Sequence, residues 1–515
     1  MRALKANRQR TASTASIVAP TGGLNARDAI SNMKETEAPI MENWFPTPSD
    51  VAVRNGHDDH ATGLPAAVET LMTYSTGVTE ELWAISDGEI YDATVAGAIG
   101  AAVVTGLSSS RFQYITFGTA GGYFLLAVNG QDDMQYYNGT AWAVINSGTT
   151  PAITGVATAD IVNINNFKNR VWLIQENTLT AWYLPVASIG GAAAALDLAG
   201  LFKLGGYLVT MANWTIDNAA GIDDYAAFLT SEGEVALYRG TDPSSASTWA
   251  LVGTFRIGKP IGRRCAIKVG SDVMVLTTDG AFSLSKALLT DRSQLQSAIS
   301  DKITNLISAD IRAYSANFGW EPIIYPNTNK LIINVPNVES SMSYQYVMNT
   351  ITGAWTKFTG WNAFCWAVLD NSLYFGGDTV VDVADTGTSD KGADIETDVQ
   401  QAFSYFGAKG QQKRFTMARP IFLADGDITP AIVMNVDYQT REPLGSPAFT
   451  GGGEPLWDIA PWDTSSWGVG DTIIQKYQSV TGVGYCGGLR VQTSTQGINV
   501  RWQASDIVYE PGGVL

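Results

Sequence analysis

One short phrase recurs along the chain, and its recurrence limits the possible folds more than any single residue does. An aromatic or apolar run enters a turn of Gly, Asn, Ser or Asp, and a Trp then opens a second apolar run. The clearest copy is Tyr136-Tyr137-Asn138-Gly139-Thr140-Ala141-Trp142-Ala143-Val144. A second runs from Val347 through Asn349 and Gly353 to Trp355 and Phe358, and a third from Ala236 through Gly240 to Trp249 and Val252. Each reads as a β-hairpin, because Asn-Gly, Thr-Gly and Asp-Pro favour the backbone angles of tight turns while the flanks are strand-forming. Trp142, Trp249 and Trp355 are 107 and 106 residues apart. With a repeat of about 53 residues that spacing is two repeats each time, so the three Trp are expected on alternate units.

Six consecutive β-rich units can be marked, at residues 66–108, 111–150, 158–205, 208–258, 263–335 and 340–385. A length of about 53 residues suits a propeller blade of four short strands with their turns. The expected fold is therefore mostly β, a β-propeller of about six blades. A β-sandwich-like platform formed by the N- and C-terminal segments completes it. The expected divisions are a flexible arm at 1–22, an N-terminal platform segment at 23–65, the propeller at 66–385 and a C-terminal platform domain at 392–515. Two helices are expected. A short one follows Asn25 or Asp28 and stops before Pro39. The other spans 293–307, where Leu295, Ile299, Ile303 and Leu306 share a face. In the last part, strand-like runs at 395–406, 414–423, 430–438, 471–480, 488–494 and 498–509 surround a loop rich in Trp.

A chain of 515 residues exceeds one ordinary core, and its 15 Trp, 20 Tyr, 18 Phe and 52 Gly suit many short strands and tight turns. Forty-nine acidic against 32 basic residues give a formal charge of −17, which argues against wrapping nucleic acid by neutralising its phosphates. Cys265, Cys365 and Cys486 lie far apart and fit small apolar core residues in a reducing cytoplasm. No apolar run reaches the roughly 20 residues that span a bilayer, so no membrane-spanning segment is expected.

Few residues invite chemistry. His57-Asp58-Asp59-His60 holds both histidines of the chain and gathers four potential metal ligands, although a polar loop is the simpler reading and no metal is expected. Gly482-Val483-Gly484-Tyr485-Cys486-Gly487 has the spacing of a dinucleotide fingerprint but leads into a strand-like run rather than a helix, so it is read as a turn. Asp132-Asp133 and Asp223-Asp224 are carboxylate pairs of the kind a glycosidase needs across a cleft, and more commonly turn residues. Lys409, Lys413 and Arg414 form a basic cluster that reads as a solvated turn by default and otherwise as a contact for an acidic partner surface or DNA phosphates. Trp457, Trp462 and Trp467 are expected to anchor a subunit interface or to fill the core under their loop. No catalytic residue and no cofactor is expected.

Three stretches carry a resemblance. They are Gly22-Gly23-Leu24-Asn25 through Glu37-Ala38-Pro39 and Asn43-Trp44-Phe45-Pro46 to Val53-Arg54-Asn55-Gly56; Ala408 to Arg414; and Asp506-Ile507-Val508-Tyr509-Glu510-Pro511-Gly512-Gly513. In these the chain resembles the tail nozzle, or tubular tail, proteins of short-tailed bacteriophages, including those described as DNA-stabilising tail accessory factors. The resemblance implies a structural virion protein in the tail, assembled in the host cytoplasm as a homohexameric ring below the head-to-tail adaptor. Such a ring retains packaged DNA, provides the channel for its ejection and docks tail fibres or tailspikes. An acidic lumen would repel passing double-stranded DNA and let it slide without sequence-specific binding. The alternative is a carbohydrate-binding or glycan-degrading propeller on a virion or cell surface, and a monomeric interaction scaffold stands third.

Overall fold

The computed structural model describes residues 12–218, 221–289, 298–445 and 472–514. It separates into two compact units: residues 58–345 with 361–384, and the N-terminal residues up to His57 with 346–360 and 385 onward.

The first unit is a β-propeller, and its blades can be read from strand pairing. Blade one pairs the second half of His57–Ser75 with Glu80–Ser86 and Glu89–Asp92. Blades two, three and four are four-stranded antiparallel sheets beginning at Gln113–Thr119, Ile161–Phe167 and Leu208–Asn218. Blade five has Ala266–Val269, Asp272–Thr277 and Gly280–Ser283, and blade six begins with Glu321–Tyr325 and Lys330–Val338. Blade seven has Cys365–Leu369, Ser372–Gly376 and Asp378–Ala384, and its outer neighbour is again His57–Ser75. One long N-terminal strand therefore belongs to the first and the last blade and closes the ring, so no edge is left at the join. Val68 N–H donates to the Gly377 carbonyl at 3.0 Å, and the Cys365 thiol donates to the Val68 carbonyl at 3.2 Å.

The core of this unit lies between successive sheets, as expected when each sheet is apolar on both faces. Met72, Trp83 and Ile85 of blade one pack with Leu125 and Tyr137 of blade two. Leu126, Val128 and Met134 meet Ile164, Val171 and Leu173, and Trp172 and Tyr183 meet Met211, Phe228 and Trp249. Trp249 stacks on Tyr238 at 5.3 Å and on Trp172 at 5.5 Å. Each fully buried large side chain of this kind contributes about 1.5–3 kcal/mol.

The second unit is a two-sheet sandwich made from the N- and C-terminal parts of the chain together with residues 346–360. One sheet has the order Thr472–Gln475, Gln411–Ala424, Val500–Val514, Val51–Val53, Trp44–Pro46, with Ser13–Val18 and Gln478–Gly484 pairing alongside. The other carries Trp355–Phe358, Ile40–Glu42, Ile395–Gln400, Gly487–Thr495 and Ala431–Val436 in that order. Their inner faces meet through Phe45 against Phe358 at 6.3 Å and through Phe415, which occupies the space above Gly487 beside Met434.

Several expectations need correction. Among the described residues the propeller has seven blades where about six are expected, because residues 263–335 contain strands of two sheets joined by a helical excursion. Trp142 and Trp249 do lie on the fourth strands of alternate blades, but Trp355 belongs to the sandwich. Residues 12–22 are not an arm: Ser13–Val18 pairs antiparallel with residues 504–509, its Ile17 buried. The helix expected after Asn25 is replaced by turns, since the Asn25 carboxamide oxygen accepts from the Arg27 and Asp28 N–H groups and draws the backbone into a tight bend. The second helix runs later than expected, over Thr304–Tyr314, with Ile307 and Ile311 buried; Leu295 falls outside the described residues.

Candidate functional site

The propeller holds a cavity of about 550 Å³ lined by residues on or next to the innermost strand of every blade. Its walls include Leu71, Ile115, Ile164, Met211, Ile267, Ile323 and Val368, one apolar residue from each blade. Between them stand carboxamides, Gln113, Asn163, Asn165 and Asn213, and the charged Arg263, Arg264, Lys268 and Glu321.

Hydrogen bonds fix most of this polar lining. The Arg264 guanidinium, about one-tenth exposed, pairs with Glu321 at 3.2 Å and donates to the Thr70 hydroxyl at 2.7 Å and to the Glu69 and Phe112 carbonyls at 3.1 Å. Burial pushes the Glu321 carboxyl above its ordinary range, and Arg264 pulls it back only in part. Arg263 donates to the Asn129 carbonyl at 3.1 Å and meets Glu176 at 3.1 Å. Asn163 Oδ1 accepts from the Thr210 hydroxyl at 3.2 Å, Asn165 Nδ2 donates to the Met211 carbonyl at 2.7 Å, and Gln113 Nε2 donates to the Phe112 carbonyl at 3.0 Å. The Lys268 ammonium donates to the Thr215 hydroxyl at 3.3 Å. It lines both this cavity and a neighbouring hollow of about 370 Å³ that also holds Lys168 and Asp224, themselves paired at 2.5 Å.

The residues singled out from sequence sit elsewhere. His57 Nδ1 faces Asp390 at 3.0 Å, His60 Nε2 lies 2.9 Å from the Ala93 carbonyl, and Asp58 and Asp59 are exposed. Among the described residues, no group of three or more His, Cys, Asp or Glu side chains is placed to hold a metal ion. Lys413 is corrected from a surface contact to a buried strut, its ammonium donating to the Ala408, Gln411 and Tyr485 carbonyls at 2.7, 3.0 and 2.8 Å. Burial lowers the Lys413 pKa. Lys409 and Arg414 are exposed, Lys409 over the Tyr405 ring and Arg414 3.8 Å from Glu510. Trp457, Trp462 and Trp467 lie outside the described residues.

The glycine-rich turn at 482–487 offers no anion cradle, because the Asp437 carboxylate already accepts from the Tyr485 and Cys486 N–H groups. Asp132 accepts from Asn129 and the Ser108 N–H, and Asp133 from Asn146 and Thr158, which makes both turn supports.

In the sandwich, the polar residues of the first resembling stretch converge on two buried hubs. Asn25 Nδ2 donates to Glu37 at 2.7 Å and Asp28 at 2.8 Å. Arg54, its side chain 1% exposed, donates to Asn43 Oδ1 at 2.9 Å, to the Asn55 carbonyl at 2.9 Å, to the Thr359 carbonyl at 2.6 Å and to both Asp390 oxygens at 2.8 and 2.5 Å. Asn43 Nδ2 continues the network to the Thr359 hydroxyl and the Glu396 carbonyl. Burial disfavours the Asp390 carboxylate, but hydrogen bonds from Arg54 and His57 outweigh it and hold its pKa below the ordinary range.

The cavity residues escaped sequence reading because no motif joins them. Their one signal is polar residues inside otherwise apolar strands, as in Ile161-Val162-Asn163-Ile164-Asn165.

No family model and no curated protein matches the chain. Among solved structures it is similar to BBS1N in a complex with ARL6DN, at 11% identity over 64% of this chain and 97% of that one, TM-score 0.39. It is also similar to the extracellular domain of the putative hybrid two-component system BT3049 from B. thetaiotaomicron, at 10% identity over 81% and 56%, TM-score 0.40. YCF48 bound to D1 peptide is similar at 9% identity over 66% and 94%, TM-score 0.35.

Proposed function

We propose that the chain is a structural virion protein, the subunit of a homohexameric tail nozzle that retains packaged DNA and conducts it at ejection. The observation carrying this reading is that the first and last resembling stretches belong to one sandwich to which the N- and C-terminal parts of the chain both contribute, where Asn25, Asn43 and Arg54 are buried supports. A motif of this kind preserves an architecture rather than a reaction. The formal charge of −17 fits a lumen that repels phosphate, so DNA moves through without being held. In this reading the adaptor, fibres or tailspikes are contacted by surfaces of the ring, with Lys409 and Arg414 exposed for an acidic partner. No catalytic step or cofactor enters. Native mass spectrometry of the purified chain tests the assembly: six copies of 55.0 kDa are expected, and a monomer at every concentration and with adaptor present overturns the proposal.

A further inference from the structure

We propose that the propeller cavity binds a small acidic sugar, a single carboxylate on a polyhydroxylated ring. Its volume, about 550 Å³, falls within the roughly 300–1,000 Å³ of small-molecule sites. Apolar residues from every blade stand beside carboxamides from blades two, three and four, the mixture that meets the C–H faces and hydroxyls of a sugar. Asn163 is 5% exposed, and its Oδ1 is occupied by Thr210. Its Nδ2 has no protein partner among the described residues and is not sealed from solvent, so it opens onto the cavity it lines. Gln113 is arranged alike: Nε2 is tied to its own chain and Oε1 remains an available acceptor. A fixed donor and a fixed acceptor on neighbouring blades recognise hydroxyls at little cost in side-chain ordering.

The carboxylate preference comes from Lys268. Of the cations lining the cavity, Arg264 is committed to Glu321 and Arg263 to Glu176, whereas Lys268 has a neutral hydroxyl as its hydrogen-bond acceptor. Asp224 acts on Lys268 from the adjoining hollow but is itself paired with Lys168. One available ammonium suits one carboxylate, while a chain carrying −17 overall disfavours a polyanion.

Saturation-transfer NMR and calorimetry on the full chain, with glucuronate and N-acetylneuraminate as probes and glucose as the neutral control, test this. At least one acid binds, glucose binds roughly tenfold more weakly, and Lys268→Gln brings the acid down to the level of glucose. Lys476→Gln, at an exposed position on the sandwich, leaves binding unchanged. Absence of binding by both acids, equal binding of glucose, or unchanged acid affinity in a folded Lys268→Gln variant overturns the inference. None of these outcomes depends on ring assembly.

Discussion

Replacing Arg54 by Met severs the densest polar junction in the sandwich. Five hydrogen bonds are lost at a side chain that is 1% exposed, and the Asp390 carboxylate, 14% exposed, keeps only its bond from His57 among the described residues. Removing one partner of such a buried pair costs about 3–5 kcal/mol, because the remaining charge stays desolvated. Arg54→Lys recovers little, since one ammonium cannot span both Asp390 oxygens, Asn43 and Thr359 together. Arg54→Met combined with Asp390→Leu restores part of the loss by removing the stranded charge. Two compact units need not unfold together, so the readout is local: hydrogen exchange of backbone amides at 43–56 and 385–400. The network also sets a pH dependence. The folded Asp390 pKa lies below its ordinary value of 3.8, so its stabilisation is complete above that value and is lost as pH falls through the lower folded value. Asp390→Asn removes this acid-sensitive component. Protection in Arg54→Met within about 0.5 kcal/mol of the parent refutes the reasoning.

Three further outcomes follow from close contacts and burial. Gly56→Ala places a Cβ 1.7 Å from the Ser389 carbonyl oxygen, so the backbone must shift and the same amides lose protection, by about 3 kcal/mol or more. Gly376→Ala in blade seven meets the Val68 carbonyl at 2.5 Å and Cys365 Sγ at 2.7 Å and weakens the ring closure by about 1–3 kcal/mol. Gly100→Ala, with nothing within 4 Å, is its neutral control, and equal melting of the two variants contradicts the closure described. Burial pushes the Cys265 and Cys365 thiols up to about 12, so neither reacts with a thiol reagent at neutral pH until its unit opens; rapid labelling of the native chain would refute this.

The hairpins were legible because their turn chemistry is local. Asn138-Gly139 joins Met134–Tyr137 to Trp142–Ile145, with Gly139 at φ 86°. Closure of the ring was not legible, since the strand that performs it begins His57-Asp58-Asp59-His60, a polar run that reads as a loop. Pairing with a segment more than 300 residues away, at Asp378–Ala384, overrides that local preference. Trp355 misled for the opposite reason: its hairpin has the propeller's local pattern but pairs with Ile40–Glu42 of the sandwich. Lys413 looked like a surface cation because charge alone does not reveal three backbone carbonyls brought together by distant segments.

Electron-microscopic imaging of the purified chain, alone and after addition of the head-to-tail adaptor, tests the central claim most directly. A six-fold ring around an open channel, with the sandwich and propeller repeated in every subunit, is expected. A compact monomer that stays monomeric with the adaptor, or a closed assembly without a channel, would contradict it.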